Sequence, residues 1–173
     1  MRIIGGQYRG KKLLSPLDDQ TRPTSDRVRE NIFNILSSRI SFQGRSVLDL
    51  FSGTGALGIE AISRGAHDVT FVDHHKPALK ILKENTRDFS ERSTILERDA
   101  VSFIHSKLPH TYDIIFMDPP YGLNSLEKII DTILKNQLVK EGGLLVIETD
   151  KKTILSQPQT SRTYGNTTIW ILE

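Results

Sequence analysis

The residues whose types and spacing point most directly to chemistry are Asp118, Pro119, Pro120 and Tyr121, which follow a strongly apolar segment. Two consecutive prolines fix φ and remove two backbone donors, so the carbonyl oxygens here have no competing N–H. Together with the Asp118 carboxylate they form an acceptor-rich pocket that suits a planar NH2 group. Hydrogen bonds to Asp118 and the Pro119 carbonyl can orient the weakly nucleophilic amine of a nucleic-acid base for in-line methyl transfer. Tyr121 can stack on that base, and we predict that these four residues are catalytic.

A glycine-rich turn, 51–55, follows an earlier apolar segment and is typical of a cofactor-binding loop. Its glycines permit φ > 0 and a close approach of a ligand to the backbone. Nicotinamide, flavin and adenosyl cofactors all use such turns, but the Gly-Lys-Ser/Thr of a phosphate-binding P-loop is absent from the sequence.

Acidic residues follow each of the first three predicted strands. Asp73 can accept both ribose hydroxyls, and Asp99 can accept an adenine amino group or cap a helix. Asp49 can order the glycine turn or reach a methionine ammonium through water. We therefore predict cofactor-binding roles for Asp49, Phe51, Ser52, Gly53, Thr54, Gly55, Asp73, Asp99 and Ala100.

Strands and helices alternate from residue 46 onwards, which predicts an α/β fold with a parallel sheet covered on both faces. In such sheets ligands bind beyond the carboxyl ends of the strands, where all of these motifs lie. Residues 1–15 read as a β-hairpin. A helix capped by Thr24 or Ser25 follows, with an apolar stripe of Val28, Ile32, Ile35 and Leu36.

The charge is unevenly distributed along the 173 residues. Residues 1–46 carry a net charge of +5 and the remainder −3, which favours an anionic partner held by the N-terminal part. The sequence has no cysteine, which excludes disulfides and thiol catalysis. It shows no signal peptide and no apolar run of membrane-spanning length, so we expect a cytoplasmic protein. The adjacent His74 and His75 lack a third ligand, and we expect no metal. Glu148 ends a strand, where it can line the pocket or be solvated.

The motifs together resemble the bacterial 16S ribosomal RNA guanine-N2 methyltransferases of the RsmD family, which are class I methyltransferases. The resemblance runs from Arg2 to about Glu148. It is carried by the segments 2–6, 9–10, 21–24, 26–30, 33–34, 51–61 and 118–121.

This resemblance implies a Rossmann-like, seven-stranded, mostly parallel sheet with a reversed last strand and an N-terminal hairpin extension. It implies S-adenosylmethionine as cofactor and the N2 amine of a guanine in 16S rRNA as target, in a partly or fully assembled small subunit. We expect a monomer with an RNA-binding extension at residues 1–24 and a methyltransferase domain at 25–173. The predicted RNA-binding residues are Arg2, Arg9, Lys11, Lys12, Arg22, Arg27 and Arg29.

Two other activities suit the same amine pocket. DNA adenine or cytosine amino-methyltransferases share the Pro-Pro motif, but they usually need a sizeable target-recognition region. Protein glutamine methyltransferases typically carry Asn where this chain has Asp118. A third reading is a non-catalytic RNA-binding module, against which the intact series from Gly53 to Tyr121 argues.

Overall fold

The structure is a computed structural model that describes residues 1–15, 26–106, 110–120, 122–123, 125–156 and 160–173. Helices and strands alternate through most of the chain. They are α1 (Asp26–Ser37), β1 (Ser46–Leu50), α2 (Ala56–Ser63), β2 (Asp68–Asp73), α3 (Lys76–Asn85), a 3-10 helix (Arg87–Arg92), β3 (Ser93–Glu97), α4 (Ala100–His105), β4 (Tyr112–Met117), α5 (Leu126–Lys135), β5 (Val139–Asp150), β6 (Thr160–Tyr164) and β7 (Thr167–Leu172).

The strands form one seven-stranded sheet in the order β3-β2-β1-β4-β5-β7-β6. β1 to β5 are parallel to one another, whereas β7 runs antiparallel to both β5 and β6. The predicted α/β fold with a reversed last strand is therefore confirmed.

Both faces of the sheet are covered, which explains why the central strands are apolar almost throughout. Residues of the N-terminal segment, α1, α2 and α3 pack on one face against Val47, Phe116 and Val146. Residues of α4 and α5 pack on the other face against Leu48 and Ile115. Each central strand is thus fixed from two sides, which leaves its register little freedom to slip.

Residues 1–15 form a hairpin whose two arms pair less extensively than the sequence predicted. Arg2 and Lys12 make a single antiparallel bridge, and the N–H of Ile3 donates to the carbonyl of Lys11 at 3.0 Å. Ile3 and Leu13 are buried in the core, so the segment is held mainly by its contacts with the helices.

The carboxylate of Glu60 is the main anchor of this segment. Glu60 lies on α2 with only 1% of its surface exposed. Its oxygens accept the N–H groups of Ile4 and Gly5, both at 2.8 Å, and the Arg64 guanidinium donates to it at 2.9 Å. Next to this anchor, a Cβ at Gly6 would lie 1.9 Å from the carbonyl oxygen of Ser63, so the close backbone approach requires glycine.

The buried face of α1 differs from the predicted apolar stripe. Ile32 and Leu36 are buried as expected, but Phe33 and Arg29 are buried with them. Arg29 donates to the carbonyl of Arg2 and to Asp26 Oδ1, the latter at 2.9 Å. The buried face of α1 thus includes Arg29, which the predicted stripe leaves out, because its guanidinium connects α1 to the N-terminal segment. The predicted caps Thr24 and Ser25 lie outside the described residues.

Smaller differences concern the ends of elements. The sequence predicts a helix from Pro77 to about Phe89, but α3 ends at Asn85 and is followed by the 3-10 helix. It also predicts a strand from Gly143 to Glu148, whereas β5 begins at Val139 and ends at Asp150. Among the described residues, no helix is long and apolar enough to cross a membrane.

Replacing Glu60 with Ala should lower the free energy of unfolding by about 3 kcal/mol, because two partly buried backbone N–H groups lose their acceptor at about 1–3 kcal/mol each. Urea unfolding of the purified protein measures this loss. Glu30→Ala is the matched control, since Glu30 is an exposed helical glutamate and its loss should change stability by less than about 0.5 kcal/mol. Equal losses in both variants would contradict the anchoring role.

Candidate active site

The glycine-rich turn lies between β1 and α2, at the carboxyl edge of the sheet. Three of its residues have positive φ: Phe51 at 57°, Gly53 at 52° and Gly55 at 85°. The N–H of Ser52 donates to the carbonyl of Val72 at 3.2 Å, which ties the turn to β2. The chain therefore reverses above β1 and enters α2 with Gly55 as its N-cap.

The turn is open on one side and packed on the other, as a cofactor loop needs to be. A Cβ at Gly53 would meet nothing within 4 Å, whereas one at Gly55 would lie 2.4 Å from Leu82 Cδ1. The Ser52 hydroxyl is buried and has no hydrogen-bond partner in the described part of the chain. A buried polar atom of this kind calls for a partner, so the turn fits a bound adenosyl cofactor.

Asp73 ends β2 and is bonded to the glycine turn. Its Oδ2 accepts the N–H of Gly53 at 2.8 Å, and its Oδ1 accepts the N–H of His75 at 2.8 Å. An ionised carboxylate offers about four lone-pair sites, so both oxygens retain the capacity to accept ribose hydroxyls. The structure thus adds an ordering function to the predicted ribose contact.

Asp49 lies in β1, beneath the turn, and only 2% of its surface is exposed. Its Oδ2 accepts the N–H of Gly58 at 2.9 Å, which fixes the first turn of α2. Burial raises the pKa of Asp49 to about 8; the Gly58 bond opposes this shift, and the nearby Asp73 charge adds to it. Of the two roles predicted for Asp49, ordering of the loop is compatible with this bond to the start of α2.

Asp99 and Ala100 begin α4 after β3. Asp99 Oδ1 accepts the N–H of Ser102 at 2.8 Å, so the predicted helix cap is present. That bond lowers the pKa of the exposed Asp99 carboxyl, which is ionised at neutral pH. Ala100 is buried beneath it. An adenine contact to Asp99 stays a prediction that is compatible with the cap.

The register of the sheet places Asp118 near the cofactor turn. Met117 pairs with Leu50 on one side and with Ile147 on the other. The residues that directly follow Leu50, Met117 and Ile147 are Phe51, Asp118 and Glu148. These three therefore lie at the same edge of the sheet. Pro119 is buried and Pro120 is exposed. Tyr121 lies outside the described residues, and its stacking role stays a prediction.

A cleft of about 310 Å³ opens beside the two prolines, between the end of β5 and the start of α5. Its walls are apolar side chains, and its polar groups are hydroxyls and carboxylates. The lining residues are Pro119, Pro120, Gly122, Leu123, Leu126, Glu127, Glu148, Thr149, Asp150, Thr153, Ile154 and Leu155.

Glu148 is buried at this cleft, with 6% of its surface exposed. Of the two alternatives that the sequence allowed, it therefore lines the cleft and is not solvated. The other two cleft carboxylates shape its rim: Glu127 accepts the N–H of Ser156 at 3.1 Å, and Asp150 accepts that of Thr153 at 2.9 Å. Sequence reasoning missed the segment 151–156, because nothing in its residue types marks it and only folding brings it to the prolines.

The predicted RNA-binding residues have different surroundings. Arg9, Lys12 and Arg27 are exposed. Arg2 is paired with Asp26 at 3.4 Å and Lys11 with Asp88. Arg29 is buried, so the prediction that it contacts RNA from the surface is corrected. Arg22 lies outside the described residues.

The sheet with its reversed last strand, together with the glycine turn above β1, defines the class I methyltransferase fold. The whole chain, residues 1–173, matches the model of a family described as conserved hypothetical protein 95, and the chain belongs to that family. The resemblance seen in the motifs is thereby confirmed.

Similar proteins agree with this assignment. The chain is 36% identical over 164 residues to ribosomal RNA small subunit methyltransferase D of Haemophilus influenzae, covering 92% of this chain and 83% of that protein. Against the protein of the same name in Escherichia coli K12, it is 37% identical over 152 residues, or 87% and 75% of the two chains. A solved structure of a Thermus thermophilus protein superposes with a TM-score of 0.88 at 30% identity, covering 100% and 99%. The chain is a methyltransferase, and its methyl donor is S-adenosylmethionine.

The raised pKa of Asp49 predicts a specific dependence of stability on pH. Between pH 4 and pH 8 the native carboxyl keeps its proton while the unfolded one has released it, so stability falls as pH rises. The free energy of unfolding of the wild type, relative to Asp49→Asn, should fall by up to about 1.4 kcal/mol per pH unit.

Urea unfolding of both proteins at several pH values from 5 to 9 measures this difference, which should level off above the native pKa of about 8. Asn can still accept the Gly58 N–H, so the variant keeps the local structure. A difference that is constant across this range would contradict a protonated native Asp49.

Proposed function

We propose that this methyltransferase modifies the exocyclic N2 amine of a guanine in the ribosomal RNA of the small subunit. The observation that carries the proposal is the position of Asp118-Pro119-Pro120 at the sheet edge, beside the cofactor turn and at the mouth of the cleft. An amine held there lies between the acceptors of the motif and the donor site.

S-adenosylmethionine supplies an electrophilic methyl group on a sulfonium. The protein's task is then to orient the amine, because the nitrogen lone pair is delocalised into the purine ring. The Asp118 carboxylate and the Pro119 carbonyl accept hydrogen bonds from its two N–H groups and favour a pyramidal nitrogen whose lone pair faces the donor. Tyr121 stacks on the base. Ser52, Gly53, Asp73 and Asp99 hold the cofactor, and Asp49 supports the loop from below.

The chemistry of the cleft favours a base over a phosphate. None of the described lining residues is Lys or Arg, and three are carboxylates: Glu127, Glu148 and Asp150. Such a site attracts N–H donors and repels phosphate. Guanine has adjacent donors at N1 and N2, whereas adenine has an acceptor at N1, so the acceptor-rich cleft is better matched to guanine.

The names of the relatives and the basic extension both support ribosomal RNA as the substrate. The relatives in Haemophilus influenzae and Escherichia coli are named small subunit rRNA methyltransferases. Residues 1–24 serve as the RNA-binding extension of a methyltransferase domain, 25–173. The substrate is a partly or fully assembled subunit in the cytoplasm, and the enzyme acts as a monomer without a metal.

The proposal is tested by incubating the purified enzyme with methyl-labelled S-adenosylmethionine and rRNA from a strain that lacks the enzyme. Naked RNA and isolated small subunits are compared, and the methylated nucleotide is mapped by mass spectrometry. We expect one N2-methylguanine in small-subunit RNA. DNA and protein from the same strain are incubated in parallel, and label in DNA or in a glutamine side chain would instead support one of the two other amine substrates.

Asp118→Ala should lower kcat at least 100-fold while the affinity for S-adenosylhomocysteine changes less than about twofold, because Asp118 contacts the amine and not the cofactor. Single-turnover kinetics and calorimetry measure the two quantities. Asp68→Ala is the control, since Asp68 is an exposed aspartate at the opposite end of β2. Turnover like that of the wild type in the Asp118 variant would contradict the proposed active site.

The exposed cations of the extension and of α1 should carry the salt dependence of RNA binding. The triple variant Arg9→Gln, Lys12→Gln, Arg27→Gln should weaken binding and reduce the slope of log Kobs against log salt by up to about 2. Filter binding at several salt concentrations measures the slope. The control removes three exposed cations of other elements, Lys128, Lys135 and Arg162. A slope that falls equally in both variants would place the RNA elsewhere.

A further inference from the structure

We propose that Asn85 is a positioning residue that couples the cofactor turn to the N-terminal extension. Through it, RNA held by the extension and cofactor held by the turn strengthen each other's binding. The RNA half of this inference rests on the proposed function, whereas the cofactor half does not.

The carboxamide of Asn85 is buried at the end of α3, with 5% of the residue exposed. Its Oδ1 accepts the N–H of Leu14 at 2.8 Å. Its Nδ2 donates to the carbonyl of Leu14 at 3.1 Å and to the carbonyl of Thr54 at 3.0 Å. One side chain therefore joins the last part of the hairpin to the middle of the cofactor turn.

The partners also fix the orientation of this amide. An N–H donor faces Oδ1, and two carbonyl acceptors face the NH2 group. Turning the amide over would place its oxygen against two carbonyl oxygens and its NH2 group against an N–H. Asn85 therefore has a single favourable state, in which the hairpin and the turn are held at a defined separation.

Each partner lies next to residues with a proposed function. Thr54 stands between Gly53 and Gly55, two glycines of the turn that we propose holds the cofactor. Leu14 follows Lys12, one of the exposed cations of the extension, by two residues. A displacement of either backbone must therefore be transmitted through Asn85 to the other.

The remaining anchors of the extension do not reach the turn. Glu60 and Ser63 bind residues 4–8 near the C-terminal end of α2, away from the turn at its N-terminus. Asp88 and Arg92 contact Lys11 and Tyr8. Within the described ranges, the hydrogen-bonded connection from residues 1–15 to the cofactor turn runs through Asn85. Asn85 is thus placed to carry the coupling, while the other anchors hold the extension in place.

Coupling between two sites is reciprocal and typically amounts to a factor of 5 to 150 in affinity. We expect saturating RNA to raise the affinity of the wild-type enzyme for S-adenosylhomocysteine about tenfold. Asn85→Leu, which has a similar volume without polar atoms, should weaken this ligand about fivefold in the absence of RNA. In that variant, RNA should change the affinity by less than about twofold.

The experiment is calorimetry of S-adenosylhomocysteine with the full chain, alone and with small-subunit RNA, and each variant is checked by thermal unfolding. Asn85→Asp is the second variant, and it tests the inference if Asn85→Leu does not fold. It keeps the acceptor for Leu14 but cannot donate to Thr54, so the same two losses are expected.

Asn136→Ala is the matched control, since Asn136 also ends a helix and its Nδ2 donates to the carbonyl of Ile104 at 3.1 Å. A purely structural role would lower the unfolding temperature of both variants and leave the ratio of affinities unchanged. Wild-type coupling in both Asn85 variants, or equal loss of coupling in Asn136→Ala, would overturn the inference.

Failure of the proposed function gives a different result. A wild-type protein that binds no RNA would refute the RNA substrate and the coupling together. The positioning of the turn is then judged by the RNA-free affinities alone. An unchanged affinity for S-adenosylhomocysteine in the Asn85 variants would overturn that half as well.

Discussion

The parallel pairing of β1 with β2 and β4, and of β4 with β5, is the constraint on which the rest of the structure depends. Parallel strands bring all of their carboxyl ends to one edge, so residues that are distant in sequence converge there without any direct contact between them. Asp49, Asp73, Asp118 and Glu148 come from four different strands and meet at this edge. Since both faces of the sheet are packed, a slip in register would bury or remove every one of them at once.

The same constraint explains what the sequence could predict. Asp73 and Asp118 could be placed at the edge of the sheet because each lies at the end of an apolar strand, and strand ends are visible in a sequence. Asn85 and Glu60 could not be assigned, because their partners are backbone groups of the N-terminal segment, 55 to 71 residues away. A polar residue on a helix looks solvated until the element that covers it is known. Arg29 was predicted to bind RNA for the same reason, since the N-terminal segment that covers it could not be recognised in the sequence.

Buried polar groups have opposite consequences in two parts of the molecule. Burial of Asp49 keeps its carboxyl protonated at neutral pH, so the core beneath the cofactor turn does not have to hold an unpaired charge. At the amino ends of β1 and β4, Asp113 is bonded to Ser46, Arg45 and Lys140. These bonds outweigh its burial and hold its pKa well below the usual range. One edge of the sheet thus holds a fixed ion cluster, and the other holds a group whose charge can change.

Under the proposed function, the separation of charge along the chain assigns two parts of RNA recognition to different surfaces. Electrostatic attraction to phosphates gives affinity without sequence information, and the exposed cations Arg9, Lys12 and Arg27 are placed on the extension and α1. The acid-lined cleft beside Pro119 would repel phosphate, so the proposed RNA substrate would enter it with the base first. In that proposal, affinity and base selection are supplied by different surfaces. Such an arrangement works only when the two surfaces are held at a fixed separation, which is what the buried bonds of Glu60 and Asn85 provide.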